Sequence, residues 1–144
     1  MALLAKTPDA RRIDPTGQTR TSLRYGDGSS VNAHHVPYFV LPLNRYQQFG
    51  VKKGDIAAVR YNGRVEFAIF ADVGPQQKLG EGSMALARQL GINSSPRRGG
   101  VGAGVEYIVF PRSGDGTPQT PDEIRAKGSY LLSRHADNLG RRQT

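Results

Sequence analysis

The sequence contains no cysteine, which excludes disulfide bonds and thiolate metal sites. It also lacks an apolar run long enough to span a membrane, so we expect no transmembrane segment. The apolar stretch at residues 2–5 is shorter than the core of a signal peptide, and charged residues follow at once. We therefore expect no signal peptide in this chain.

Apolar residues are scarce and turn-forming residues are frequent. Hydrophobic residues make up 37% of the 144 positions, and there are 18 glycines and 9 prolines. This balance is more typical of a loop-rich β protein than of a helical bundle. Apolar stretches of strand length recur between residues 36 and 110, which argues against disorder of the whole chain.

The chain is basic, with 20 basic and 12 acidic residues and a formal net charge of +8. Such charge is compatible with nucleic acid, anionic membrane surfaces or acidic polymers. No block of five consecutive like charges is present, although binding tails commonly carry one. A solvated basic surface is the simpler interpretation, and we do not expect nucleic acid as a partner. A non-catalytic basic module that binds an anionic polymer or nucleic acid remains the alternative from another class.

The length allows one domain, which we place at residues 23–144. Residues 1–22 are polar and contain two prolines, so we expect a partly extended lead-in. Two strand-like runs at residues 56–61 and 64–70 are joined by an Asn-Gly pair, which predicts a β-hairpin.

Further elements follow from local patterns. Residues 36–42 predict a short strand whose flanking prolines restrict it to an edge or a bulged position. Helical spacing over residues 83–90 ends at Gly91, and residues 105–111 predict another strand. A last helix is predicted from Pro121 toward Leu139. Together these elements predict a small, mainly β barrel decorated by short helices.

Six of the twelve acids have ordinary structural interpretations. An acid beside glycine in a turn commonly accepts hydrogen bonds from its own backbone, and one in the first turn of a helix complements the helix dipole. A mid-hairpin glutamate can point into solvent. These interpretations apply to Asp27, Asp55, Asp115, Asp122, Glu123 and Glu66.

Asp72 and Glu81 are different. Asp72 directly follows an apolar run, so it should emerge at the rim of the sheet, and Glu81 lies between Gly80 and Gly82. Glycoside hydrolysis needs two carboxyl groups on opposite sides of the scissile bond, and the loop between these residues could bring them across one groove. On spacing alone, a turn-forming aspartate and a helix-start glutamate remain an equally open interpretation.

Residues 67–75 and 79–87 resemble the signature of the family 75 glycoside hydrolases, the fungal-type chitosanases. Residues 27–29, 36–42 and 105–111 agree with it, so the likeness extends over residues 25–113. The resemblance implies endo-hydrolysis of chitosan with inversion, carried out by an aspartate and a glutamate that map onto Asp72 and Glu81. It also implies a small six-stranded barrel of the double-psi type.

Within this hypothesis we interpret Glu81 as the acid and Asp72 as the base, and the sequence leaves the reverse allocation open. Ser83 and Lys78 are candidate substrate-binding residues, as are Tyr38 and Tyr107, which could stack on sugar rings. The alternatives are a helix cap for Ser83, a solvated surface lysine, and partly buried structural tyrosines. No cofactor is expected. We expect no metal either, because the adjacent His34 and His35 would point to opposite faces of an extended chain.

Three departures bear on the substrate. Ala71 stands where the family often has glycine, and the loop between the two acids is shorter than in fungal members. A charge of +8 also repels a polycation such as chitosan. We therefore expect a polysaccharide partner, chitosan or a related amino-sugar glycan, with hydrolysis of peptidoglycan or another cell-wall glycan as the alternative. Such a substrate predicts a secreted protein acting in the extracellular or cell-wall space, and we expect a monomer.

Overall fold

The computed structural model describes residues 3–7, 21–42, 46–74, 81–92 and 104–143. The strands in these ranges are Leu3–Thr7 (β1), Tyr38–Pro42 (β2), Ile56–Tyr61 (β3), Arg64–Gly74 (β4), Glu81–Gly82 (β5) and Val105–Phe110 (β6). The α-helices are Met84–Leu90 (α1) and Pro121–Gln143 (α2), and Tyr46–Phe49 forms a 3₁₀ turn. Neither α-helix is long and apolar enough to cross a membrane.

The hairpin of β3 and β4 forms where the Asn-Gly pair predicts it. Asn62 and Gly63 both have positive φ, at 50° and 82°, as a type I′ turn requires. Tyr61 and Arg64 face each other directly beyond the turn, and the antiparallel register continues to Ile56 and Ile69. The predicted hairpin is therefore confirmed.

The six strands form one sheet in the order β1-β6-β3-β4-β2-β5. Only β2 and β4 run parallel, and the other neighbours are antiparallel. The mainly β class with helices is confirmed. A closed double-psi barrel is not confirmed, because the pairings among the described residues leave β1 and β5 at opposite ends of the order.

Strand β1 lies in the segment for which the sequence predicts only an extended lead-in. Its residues pair with β6 from Leu3 opposite Val109 to Thr7 opposite Val105. This pairing joins positions about a hundred residues apart, so no local pattern around residues 3–7 could reveal it. The division into a lead-in and one domain stays a prediction.

Helix α1 begins and ends as its sequence predicts. The Ser83 hydroxyl accepts a hydrogen bond from the Leu86 N–H, which makes Ser83 the N-cap. Gly91 closes the helix at φ 77°, in the left-handed region that favours glycine. One face of α1, including Met84 and Leu90, is buried against the sheet.

Helix α2 starts with a capping box. Thr120 Oγ accepts from the Glu123 N–H at 3.1 Å, and Glu123 Oε1 accepts from the Thr120 N–H at 2.8 Å. Ile124 and Gly128 then bury one side of the helix on the sheet. A Cβ at Gly128 would lie 2.3 Å from a ring carbon of Phe67, so only glycine allows this close approach.

Asp55 has a larger role than the turn predicted for it. Its side chain accepts from the Lys52 N–H at 2.8 Å, as a turn residue does. It also accepts from the Arg112 N–H and the Gly114 N–H, both at 2.9 Å. The residue is only 1% exposed. Interpreting it as a local turn former was therefore incomplete, because this carboxylate also ties the start of β3 to the segment that follows β6.

We expect Asp55→Asn to lower the free energy of unfolding by roughly 2–4 kcal/mol, because the amide presents an NH₂ group to donors that now meet a carboxylate oxygen. Urea unfolding followed by circular dichroism measures the loss. Asp115→Asn is the control, since that carboxylate is exposed and binds only its own turn. An equal effect in both variants would contradict this role for Asp55.

Candidate active site

A β-bulge sets the position of Asp72 in β4. Phe39 is opposite Phe70 and Val40 is opposite Asp72, so Ala71 is an extra residue on β4. Bulges of this kind change the direction of the side chain that follows. Ala71 is fully buried, whereas Asp72 is half-buried. The bulge thus allows a strand with a fully buried run to present a carboxylate at the edge of the core.

An aromatic pair lies directly before the bulge. The rings of Phe39 and Phe70 stack with centroids 5.6 Å apart and planes 24° from parallel. Both residues are buried, with at most 1% of their surface exposed. Such a pair favours one register between its two strands. It therefore holds Val40 level with Asp72.

Glu81 reaches the same position from the other side of β2. Its strand β5 pairs antiparallel with β2, and Glu81 is the register partner of Val40. Val40 is therefore opposite both acids, and positions 72, 40 and 81 form one row across three neighbouring strands. Two strand spacings separate the outer positions, about 9.5 Å between Cα atoms. We call this arrangement the carboxylate row.

Three donors converge on one oxygen of Asp72. Oδ1 accepts from the Ser22 hydroxyl at 2.9 Å, from the Ser22 N–H at 3.2 Å and from the Val73 N–H at 2.9 Å. Among the described residues, no hydrogen bond to Oδ2 is found. Within this part of the chain, the carboxylate is thus held through Oδ1.

Ser22 is the residue that sequence reasoning missed. It lies in the predicted lead-in, 50 positions from Asp72, and is an ordinary exposed serine among other polar residues. The neighbouring Leu23 N–H binds the carbonyl of Ala71 at 2.9 Å, so this segment runs beside the bulge. No spacing or motif in the sequence signals the contact.

The other predicted site residues have structural surroundings. The Ser83 hydroxyl donates to the Val36 carbonyl at 2.8 Å and accepts from the N–H groups of Tyr38 and Leu86. One donated and two accepted bonds use the full capacity of a hydroxyl. Ser83 is also fully buried, so these contacts correspond to the capping alternative.

Tyr38 and Tyr107 belong to the hydrophobic core, with exposures of 1% and 5%. The Tyr107 ring packs against Phe39 at 5.7 Å between centroids. These surroundings correspond to the structural alternative, because a side chain that stacks on a sugar ring has to be exposed to it. Lys78 lies outside the described residues.

Several remaining acids have environments unsuited to an acid catalyst, whose pKa must be raised. The hydroxyl and the N–H of Ser29 lower the pKa of Asp27, and those of Thr117 lower the pKa of Asp115. The pKa of Glu123 is lowered by the N–H and the hydroxyl of Thr120. These three carboxyl groups have the turn and capping roles that their positions predict. In the described part of the chain, no group of three potential metal-ligating side chains is found.

Comparison with known families decides the identity of the chain. Residues 6–143 match the family described as fungal chitosanase of glycosyl hydrolase group 75. The chain belongs to this family. The match to the chitosanase family extends well beyond the motif around the two acids, and it includes Ser22, Asp72 and Glu81. No curated protein matches the chain.

The contacts of Ser83 predict that Ser83→Ala lowers the free energy of unfolding while leaving glycosidase activity largely intact. The substitution removes a helix cap and leaves the buried Tyr38 N–H without its acceptor, a cost of about 1–3 kcal/mol in the free energy of unfolding. Denaturant unfolding and glycosidase assays normalised to folded protein measure the two effects. A large fall in kcat without loss of stability would instead indicate that Ser83 contacts the substrate.

Proposed function

We propose that this protein is an endo-acting, inverting chitosanase that cleaves β-1,4-linked glucosamine polymers, with Asp72 as general base and Glu81 as general acid. Membership of the chitosanase family supports a glycoside hydrolase acting on a polysaccharide. The observation that carries the assignment of residues is the carboxylate row, in which both acids are register partners of Val40.

The spacing of the row supports inversion. Carboxyl groups of inverting glycosidases lie roughly 6.5–9.5 Å apart to accommodate a water molecule, whereas those of retaining enzymes lie about 5–5.5 Å apart. Cα atoms separated by two strand spacings, about 9.5 Å, allow the carboxyl groups to lie at the wider distance. That separation leaves room for a water molecule between the two carboxyl groups.

The hydrogen bonds of Asp72 support its role as the base. Oδ1 accepts from three donors. Oδ2, which has no hydrogen-bond partner among the described residues, is the proposed acceptor of the proton from water. A general acid must instead carry a proton and direct it at the leaving oxygen. Glu81 stands between two glycines in the sequence, and these have no side chain beyond Cα to crowd its approach to that oxygen.

The proposed reaction is a single displacement. Asp72 takes a proton from water as the water oxygen bonds to the anomeric carbon, and the bond from that carbon to the glycosidic oxygen breaks. Glu81 gives its proton to the departing oxygen, which becomes a hydroxyl group. Asp72 ends protonated and Glu81 ionised, and exchange with solvent restores both. Attack from the face opposite the leaving group converts a β-linkage into an α-hemiacetal.

The chain's charge favours a second candidate substrate. A protein of net charge +8 repels a polycation at long range, whereas an anionic cell-wall glycan such as peptidoglycan would be attracted. Family membership supports chitosan, and the net charge supports the anionic glycan. We propose chitosan first, because the immediate surroundings of the bond control hydrolysis more than the diffuse field does.

Three further proposals accompany this function. A polymeric substrate supports secretion to the extracellular or cell-wall space. Membership of the family supports a small six-stranded barrel of the double-psi type. We also propose that the protein acts as a monomer, since the carboxylate row lies within one chain.

We expect Asp72→Asn and Glu81→Gln each to lower kcat on chitosan by roughly 10²–10⁴-fold, because each removes one proton-transfer group. Reducing-sugar release measures the loss, and circular dichroism verifies the fold. Glu66→Gln is the control, since Glu66 lies in the same strand as Asp72 and forms a long ion pair with Arg125, at 3.7 Å. Full activity in either site variant would remove that residue from the mechanism.

We expect hydrolysis of chitosan to accelerate as salt is first added, because screening weakens the repulsion between the +8 protein and the cationic polymer. Initial rates on chitosan and on peptidoglycan, measured in parallel from low to physiological ionic strength, test this. Product masses identify the bonds cleaved. Turnover of peptidoglycan alone, slowing as salt is added, would favour the second candidate.

A further inference from the structure

We propose that Ser22 is a positioning residue that holds the general base Asp72 in its productive orientation. This inference rests on the proposed function. Ser22 supplies two of the three hydrogen bonds to Oδ1, one from its hydroxyl at 2.9 Å and one from its backbone N–H at 3.2 Å. The third comes from the Val73 N–H, within the strand of Asp72 itself.

Buried neighbours fix Ser22 on both sides. Thr21 is 1% exposed and Leu23 is 3% exposed. The Thr21 hydroxyl donates to the Leu23 carbonyl at 2.6 Å and accepts from the Val31 N–H at 3.0 Å. The Leu23 N–H binds the carbonyl of Ala71, the extra residue of the bulge. The exposed Ser22 is therefore held beside Asp72 by buried, hydrogen-bonded neighbours on both sides.

A second contact strengthens this support. The Thr21 N–H donates to the Ser30 hydroxyl at 3.1 Å, and Arg24 forms an isolated β-bridge with Ser30. Residues 21–31 thus fold back on themselves before they reach β2. The position of Ser22 is determined by this fold-back rather than by the bond to Asp72. Ser22 can therefore orient the Asp72 carboxylate.

The geometry of an aspartate side chain explains why such a residue is needed. Rotation of a carboxyl group about its last torsion is broad, so packing alone does not set which oxygen faces the water. Three donors on Oδ1 stop this rotation and leave Oδ2 directed away from Ser22. When the Ser22 hydroxyl is removed, the N–H groups of Ser22 and Val73 still donate to Asp72. The carboxylate therefore stays near its position but rotates more freely.

If Ser22 had only a structural role, removal of its hydroxyl would lower the free energy of unfolding, whereas a positioning role predicts an effect on kcat. Ser22 is exposed and contributes nothing to the hydrophobic core, so removal of its hydroxyl should change the free energy of unfolding little. Its effect should appear in kcat, because small displacements of a reacting group cost rate rather than substrate binding.

The chain offers a matched control. At the exposed turn of residues 25–30, the Ser29 hydroxyl and N–H both donate to Asp27 Oδ1, at 2.6 and 2.9 Å. This repeats the serine–aspartate contact away from the carboxylate row. Ser29→Ala therefore removes the same chemical interaction without touching Asp72.

The experiment compares Ser22→Ala, Ser22→Thr and Ser29→Ala with the parent protein in steady-state hydrolysis of chitosan. We expect Ser22→Ala to lower kcat roughly 10- to 100-fold with KM little changed. Ser22→Thr keeps the hydroxyl, and its added methyl group can project into solvent, so it should restore most of the rate. Ser29→Ala should behave like the parent, and all three should show similar denaturation midpoints.

Parent-like kcat in Ser22→Ala would overturn the proposal, and so would equal losses in Ser22→Ala and Ser29→Ala. A shift in denaturation midpoint that accounts for the lost activity would also overturn it. Asp72→Asn is assayed in parallel to separate the two failures. If that variant is active, the proposed function fails. If it is inactive while Ser22→Ala is fully active, only the role of Ser22 fails.

Discussion

The pairing of β2 with two different strands is the constraint on which the site depends. On one side β2 runs parallel to β4, and on the other it runs antiparallel to the two-residue strand β5. All five residues of β2 are buried, so it is covered on both faces. A strand held in this way has one register, and that register sets which residues of its neighbours are level with each other. The carboxylate row follows from Val40 being common to both pairings.

The same strand links the row to helix α1. While it caps α1, the hydroxyl of Ser83 bonds the backbone at Tyr38, where β2 begins, and at Val36, two residues before it. Glu81 lies two residues before that cap. The polar interaction that begins the helix thus also fixes the end of β5 against β2. The helix cap Ser83 and the candidate acid Glu81 therefore lie within three consecutive residues.

Local chemistry allowed much of the fold to be predicted. The Asn-Gly turn, the Ser83 and Gly91 caps and the start of α2 each depend on residues within a few positions of one another. The candidate pair Asp72 and Glu81 was found through a motif that is also continuous in sequence. The family membership predicted from that motif is confirmed over nearly the whole chain.

Contacts between distant parts of the chain could not be predicted in the same way. The bulge at Ala71 depends on the register with β2, and the roles of Ser22 and Asp55 depend on partners 50 to 59 positions away. The burial of Ser83, Tyr38 and Tyr107 also depends on distant parts of the chain, and their contacts with substrate stay predictions. In each case, tertiary packing supplied information that composition and spacing do not contain.

The order of strands in the sheet has a consequence for biosynthesis. Residues 22, 40, 72 and 81 all precede β6, whereas β3 obtains its second neighbour only when residues 105–110 have been made. Strand β1, the earliest in the chain, obtains its partner from the same late segment. As the chain leaves the ribosome, the half of the sheet that contains the carboxylate row can therefore assemble first. Strand β1 and the open side of β3 remain exposed to wrong pairings until their partner is synthesised.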